Sequence, residues 1–230
     1  MNILLCLIFL IALSSLFQLY SMGKKEQFFK LLAVYNVYTL VHVSYTFIAI
    51  NFFATQRFVD AGAPFGFGYG PMLYYGLIMS GEKTEVKLKK NSWLHLLPIP
   101  FFWAAFIMLL ADRELRDIMM WKYYTVLATG QCLSFFAYGL WSIFASRPRL
   151  AMSDLGSRSR VLSIGGVLIL FMASFGLVIL LSRVVPHKST PPTIGLYIIY
   201  GMLLSVQLSV ARYLYRIRKG KPGNVNPDEI

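Results

Sequence analysis

The chain alternates between long apolar segments and short polar ones, and its apolar segments have nearly the length of membrane-spanning helices. About 20 predominantly apolar residues cross the hydrocarbon core of a bilayer as an α-helix. The segments are Asn2–Met22, Leu31–Phe53, Phe65–Ser80, Trp93–Ala111, Trp121–Ala145, Val161–Ser182 and Thr193–Arg212. The pattern predicts an all-α membrane protein, a bundle of seven transmembrane helices.

The basic residues between these segments are distributed unequally. Of the 22 Lys and Arg residues, 16 lie in the first, third and fifth loops and at the C-terminal end, and six lie in the other loops. Cytoplasmic loops of membrane proteins carry an excess of Lys and Arg, so we expect the N-terminus outside and the C-terminus in the cytoplasm. Residues 1–216 are expected to form the transmembrane domain, and residues 217–230 a basic, disordered cytoplasmic tail.

Composition leaves no room for a separate soluble domain once seven spans are subtracted. Of the 230 residues, 57% are hydrophobic and 14% are charged, and the mean hydropathy is +0.60. The net charge of +12 could suit a nucleic-acid-binding protein, but the basic residues flank the spans on one side. Because topology already explains this charge, we expect contact with the lipid bilayer and no direct nucleic-acid binding by this chain.

The third segment is the least regular of the seven. It combines two prolines with four glycines in a short apolar run, namely Pro64, Pro71, Gly66, Gly68, Gly70 and Gly76. If this segment were a re-entrant loop, the two sides of the membrane would carry 14 and 8 basic residues instead of 16 and 6. The stronger asymmetry favours a short, tilted or kinked crossing. We expect a conformational role for Gly70 and Pro71. The irregular backbone either lets neighbouring helices approach closely or lines a cavity open to the outer leaflet.

Polar side chains recur on one face of the second segment. Tyr35, Tyr38, His42 and Tyr45 are spaced by three and four residues, which places them on the same side of a helix. A polar face inside a membrane must look into the bundle. It therefore either makes interhelical hydrogen bonds or forms the wall of a binding site for a small ligand. The deep polar residues Gln131 and Gln207 complete either arrangement.

Two further patterns bear on packing. In the seventh segment Gly201, Ser205 and Ser209 form a ridge of small residues at intervals of four. This ridge predicts close helix packing inside the bundle, with formation of a homodimer as the alternative. The charged run at positions 112–117 is expected to lie in an external loop and to pair with itself.

Several features that enzymes and coupled transporters need are missing from the spans. No Asp or Glu falls within any of the seven segments, and such a carboxylate usually serves proton- or sodium-coupled transport. The chain contains no catalytic motif, and its three histidines and two cysteines are too dispersed for an obvious metal site. We therefore expect neither an enzyme nor a bound metal or cofactor.

Two short motifs carry a resemblance to a known family. The first is Pro64 and Phe65 followed by YGPMLYY at residues 69–75, and the second is LHLLP at residues 94–98, after a basic loop. They resemble the N-terminal membrane region of bacterial membrane-bound AraC-type transcriptional regulators, in which several helices precede a cytoplasmic helix-turn-helix domain. The resemblance implies a signal-sensing domain of the bacterial inner membrane and makes Tyr69 and Tyr74 candidate sensing residues.

The output of such a sensor would have to be attached at the C-terminus. The residues after Lys221 are too few for a helix-turn-helix domain. The chain is therefore expected to be either the membrane part of a longer regulator or a relative that signals through a cytoplasmic partner protein. A small-solute or lipid transporter is the alternative function, and the absence of carboxylates from the spans favours the sensor.

Overall fold

The computed structural model describes residues 1–23, 26–53, 59, 62–80, 92–146, 153–184 and 192–219, and these residues form α-helices with no strand. The helices are α1 Asn2–Met22, α2 Gln27–Phe52, α3 Gly66–Met79, α4 Pro98–Ala111, α5 Arg113–Ser146, α6 Ser153–Val184 and α7 Pro192–Lys219, with a short 3₁₀ helix at Ser92–Leu96. Each predicted apolar segment overlaps one of these α-helices, and the fourth segment, Trp93–Ala111, also includes most of the 3₁₀ helix. The expected all-α fold is confirmed.

Length and composition suit five of the described helical segments for crossing a membrane. They are α1, α2, Trp93–Ala111, Arg113–Ala145 and Leu196–Lys219. Large apolar side chains are exposed on the outer surface, where Ile3 is 80% and Phe17 is 75% exposed, whereas Asn36 and Gln207 are completely buried. Exposure of so many large apolar side chains is typical of helices that face lipid.

The central helix is the irregular third one. Neighbouring helices pack in the order α2, α1, α7, α6, α5, α4, and α3 contacts α2, α4, α5 and α6. Nine of the 14 residues of α3 are buried. Its length is about 21 Å, which is shorter than the hydrocarbon core of about 30 Å. The prediction of a short third helix is confirmed.

Glycines bring α5 and α6 into backbone contact. A Cβ atom built on Gly166 would lie 3.0 Å from the carbonyl oxygen of Gly139, and one built on Gly139 would lie 2.9 Å from that of Gly166. Small residues of this kind let transmembrane helices approach closely. This contact fixes α6 against α5.

The structure differs from the sequence expectations at the ends of two helices. The charged run at 112–117 does not lie in a loop, because Asp112 caps α5 by accepting a hydrogen bond of 2.9 Å from the Leu115 N–H. The helix α7 extends through residues 217–219, where the tail was predicted to begin. Residues 220–230 and the basic loops at 81–91 and 147–152 lie outside the described residues.

The small-residue ridge of α7 does not pack against another described helix. A Cβ atom on Gly201 would meet nothing within 4 Å, and Ser205 is exposed. The hydroxyl groups of Ser205 and Ser209 donate hydrogen bonds to carbonyl groups of their own helix, four residues earlier. The prediction that this ridge packs inside the bundle was wrong. The spacing of the small residues shows that they share one face of the helix, but it does not show which helix, if any, lies against that face.

Candidate functional site

Tyrosine hydroxyl groups hold the backbone immediately before α3. Tyr38 donates a hydrogen bond of 2.6 Å to the carbonyl oxygen of Phe65, and Tyr123 donates one of 2.7 Å to that of Gly62. Tyr45 donates a third, of 2.5 Å, to the carbonyl oxygen of Val59. Non-helical backbone at membrane depth needs such partners because no bulk water is present. The second helix, through Tyr38 and Tyr45, therefore positions the start of α3.

His42 is the centre of a hydrogen-bond network that joins three helices. Its Nδ1 atom lies 2.7 Å from the hydroxyl oxygen of Tyr69 in α3, and its Nε2 atom lies 3.3 Å from that of Tyr200 in α7. The Tyr200 hydroxyl also lies 2.7 Å from the hydroxyl oxygen of Thr46 in α2. A neutral imidazole donates at one ring nitrogen and accepts at the other, so the roles of the two tyrosines are linked through His42.

An aromatic wall covers one side of this network. The ring of Phe65 stacks on His42 with centroids 4.5 Å apart, and the ring of Trp103 in α4 meets Phe65 edge-on at 5.1 Å. Tyr38 packs edge-on against Tyr69 with centroids 5.3 Å apart. Such contacts add stability beyond the burial of apolar area. They pack the rings around the network closely against one another.

A second group of polar atoms lies nearby without hydrogen-bond partners. The Tyr35 hydroxyl in α2 lies beside the Gln207 amide in α7 and the Thr39 hydroxyl, but among the described residues it makes no hydrogen bond of good geometry, and neither do the two polar atoms of the Gln207 amide. Gln207 is completely buried. A buried polar group without a partner costs about 1–3 kcal/mol of stability. A bound polar group that completes these hydrogen bonds would offset this cost.

An apolar cavity of about 70 Å³ lies beside these atoms, between α2, α3, α6 and α7. Tyr35 and Tyr69 line it, together with aliphatic and methionine side chains. Leu32 of α2, Gly165 of α6 and Val206 of α7 are among the residues that form its wall. The cavity extends from the level of the His42 network toward Phe28, at the beginning of α2.

The start of α2 is tied to α6 at that level by an ion pair. Arg158 lies 2.5 Å from the carboxylate of Glu26, and its guanidinium group stands 5.4 Å and 5.5 Å from the ring centroids of Phe28 and Phe29. The Glu26 side chain is 43% exposed. An exposed pair of this kind contributes little stability by itself. The ion pair mainly sets where α6 meets α2.

The two residues proposed as conformational lie in the buried middle of α3. A Cβ atom on Gly70 would collide with the ring of Tyr138 and would lie 3.0 Å from the hydroxyl oxygen of Ser134, so only glycine fits there without movement of α5. Pro71 is completely buried inside the helix. It cannot donate a hydrogen bond to the carbonyl group of Phe67, which weakens the helix at this point.

A separate cluster lies on the opposite side of α3. His95 Nδ1 is 2.6 Å from the hydroxyl oxygen of Tyr138, and Tyr74 packs against His95 and Trp141 with centroids 4.3 Å and 4.6 Å apart. His95 and Tyr138 line a cleft of about 450 Å³. Gln131 lies against Gly66 at the start of α3.

The structure thus divides the candidate residues predicted from the sequence. It brings six of them together around α2, α3 and α7, namely Tyr35, Tyr38, His42, Tyr45, Tyr69 and Gln207. Tyr74 lies in the His95 cluster, and Gln131 contacts Gly66. Sequence reasoning missed Tyr200, although its spacing of seven residues from Gln207 places both on one face of α7.

Comparison with known proteins gives no relative for this chain. No protein-family model matches it, and neither the curated proteins nor the solved structures give a significant match.

Proposed function

We propose that the chain is a membrane-embedded signal-sensing domain that passes a conformational signal to a cytoplasmic transcription-regulatory domain or partner protein. The observation that carries this proposal is the His42 network, which connects the central helix α3 to the C-terminal helix α7. A change in α3 alters the hydrogen bond to His42 and so alters the bond from His42 to Tyr200. The His42 network therefore joins α3, the proposed sensing helix, to α7, the helix that would carry the signal out of the bundle.

The outgoing helix has the length that this role requires. From Tyr200 to Lys219, α7 rises about 28 Å, close to the thickness of a hydrocarbon core. It is one continuous helix with Arg216, Arg218 and Lys219 in its last turn. A displacement at Tyr200 is carried to that end because a packed helix moves as a unit.

We place the C-terminal end of α7 in the cytoplasm. We take all seven helices as crossings of the bacterial inner membrane, with the N-terminus outside. The 16 basic residues that cluster on one side support this orientation. The resemblance to the membrane regions of AraC-type regulators supports a transcriptional output at the same end.

The moving part in this proposal is α3. Its hydrogen-bond ladder is interrupted at Pro71, and a helix interrupted in this way can adopt two bends of similar free energy. Gly70 contacts Tyr138 on one side of α3, and Tyr69 contacts His42 on the other. A change in the bend of α3 would therefore move Tyr69 and alter its hydrogen bond to His42, which is bonded in turn to Tyr200 of α7.

A fusion reporter tests the proposal without knowledge of the natural cue. A cytoplasmic DNA-binding domain is attached after Ile230, and basal reporter expression is measured at equal protein level. His42→Leu should change expression about threefold or more, since an interhelical hydrogen bond of about 0.6–1.7 kcal/mol biases the two states. Asn51→Leu removes a side-chain hydrogen bond of 3.0 Å to Asn2 that joins α2 to α1 and involves neither α3 nor α7. It is the matched control and should leave expression unchanged. Equal effects of both substitutions, or no effect of either, would contradict coupling through His42.

A further inference from the structure

The strongest unexplained feature of the bundle is the pairing of an apolar cavity with buried polar atoms that lack partners. Tyr35 lines the cavity, and its hydroxyl group has no hydrogen-bond partner among the described residues. Gln207 does not line the cavity but lies completely buried next to the Tyr35 hydroxyl, and its amide offers a donor and an acceptor that make no hydrogen bond of good geometry within the described part of the chain. Buried polar atoms without partners are rare, and a bound ligand can supply the missing hydrogen bonds.

We propose that this cavity binds an uncharged amphiphile, a slim apolar chain that carries one hydroxyl or amide group. The polar group of the ligand would bond to Tyr35 and Gln207, and its chain would lie along the apolar wall toward Phe28. This inference rests on the proposed function and deepens it, because it names the chemical class of the cue.

The composition of the wall selects against charged ligands. All the residues that line the cavity are apolar, aromatic or glycine, and none is charged. Moving an ion into such surroundings is strongly unfavourable without a partner of opposite charge. A hydroxyl or amide group, in contrast, both donates and accepts, as do the Tyr35 hydroxyl and the Gln207 amide.

The length of the cavity suits an extended chain. Phe28 and Tyr35 both line it and are separated by seven residues of α2, which corresponds to about 10 Å along the helix. The opposite walls are formed by Gly76 of α3 and Val210 of α7, among others. A flat or branched ligand would have to separate these helices further than a single chain does.

The size of the cavity links binding to movement. At about 70 Å³ it is smaller than the cavity of about 150 Å³ that accepts benzene in an engineered protein. A chain of medium length can therefore enter only if the wall yields. Met72 and Met172 line the cavity and have flexible side chains that adapt to such changes. Because α7 forms part of the wall, the ligand would favour the state in which α7 is displaced.

Photolabelling of the full chain in lipid nanodiscs tests the inference. The probe is a diazirine derivative of 1-decanol, and the comparison probe has the same chain with a sulfate group in place of the hydroxyl. We expect the alcohol to label residues of α2, α3, α6 and α7 that line the cavity, in competition with free 1-decanol. The sulfate should label them at least about tenfold less, as expected for burial of an ion. Equal labelling of the cavity by both probes, or labelling only of lipid-facing residues such as Phe17, would overturn the inference.

Substitutions separate ligand binding from structural roles. Gln207→Leu and Tyr35→Phe should each reduce labelling of the cavity by about tenfold and raise the thermal unfolding temperature, since each removes polar atoms that have no partner. Gln131→Leu, at the other deep glutamine, is the matched control and should keep the labelling. If Gln207→Leu and Tyr35→Phe lower the unfolding temperature, the two side chains stabilise the fold and the inference is wrong.

The binding result and the reporter result fail independently. Labelling of the cavity by the alcohol without any effect of 1-decanol on the fusion reporter would support the binding site and contradict the sensing function. Loss of cavity labelling together with a reporter that still responds to His42→Leu would overturn the ligand class and leave the sensing function supported.

Discussion

Buried polar residues of the described helices make hydrogen bonds either within their own helix or between helices. Asn36 and Thr39 are completely buried and donate hydrogen bonds of 2.7 Å and 2.9 Å to carbonyl groups one turn earlier in α2. These bonds within one helix do not connect helices. His42 differs from them, because its two nitrogen atoms contact two other helices.

The link between His42 and Tyr200 can be measured as a coupling free energy. The single substitutions His42→Leu and Tyr200→Phe and their combination should be non-additive in the free energy of unfolding by about 0.6 kcal/mol, and by no more than about 1.7 kcal/mol. The control cycle combines His95→Leu with Tyr200→Phe and should be additive, since His95 belongs to the cluster around Tyr138. Reversible unfolding in mixed micelles provides the measurement, and additivity in both cycles would remove the link.

At this scale the sequence predicted the polar face of α2 well, because the spacing of three and four residues is a property of one helix. It could not identify Tyr200 as the partner of His42, since the two residues are 158 positions apart and only packing brings them together. For the same reason it grouped Gln131 with Gln207, although Gln131 contacts the start of α3.

Among the helices, α3 departs most from the rules of helix formation, and it is also the most enclosed. Apolar patterning predicted the helices because each is a long local segment. The first turn of α5 was missed because its charged residues suggested a loop, whereas the Asp112 cap and the following turns extend the helix. At residues 112–117 the charge pattern favours a loop and the Asp112 cap favours a helix, and the structure has the helix.

Replacement of Pro71 by alanine tests the role of the interrupted helix. Proline costs about 3 kcal/mol relative to alanine inside a helix, while loss of two buried methylene groups costs about 1.6 kcal/mol. Pro71→Ala should therefore stabilise the protein by about 1 kcal/mol. This gain would be measured as a higher thermal unfolding temperature.

The same substitution should also fix α3 in one bend. In the fusion reporter, adding His42→Leu to the Pro71→Ala protein should then change expression much less than it does in the original chain. If His42→Leu has the same effect in both backgrounds, Pro71 has a packing role only and the bend of α3 is not part of the signal.

At the scale of the whole molecule, the described helices bury a few polar side chains among apolar ones and expose many large apolar side chains. Its class was predictable from composition and apolar segments. The packing order of the helices was not, because every apolar helix can pack against any other and the order depends on matching surfaces such as Gly139 and Gly166. Every step of the proposed signalling requires that α7 end in the cytoplasm and that α3 and α6 cross the membrane.

Cysteine labelling from outside the cell tests this arrangement most directly. The native Cys6 and Cys132 are first replaced by serine, and single cysteines are then introduced by Arg57→Cys, Lys87→Cys or Lys188→Cys. Seven crossings place positions 57 and 188 outside and position 87 in the cytoplasm. A membrane-impermeant maleimide should therefore label the variants at 57 and 188 in intact cells and label the variant at 87 only after the cells are opened. Labelling of the Lys87→Cys variant in intact cells would mean that α3 does not cross, and it would contradict the proposed path from the central helix to a cytoplasmic output.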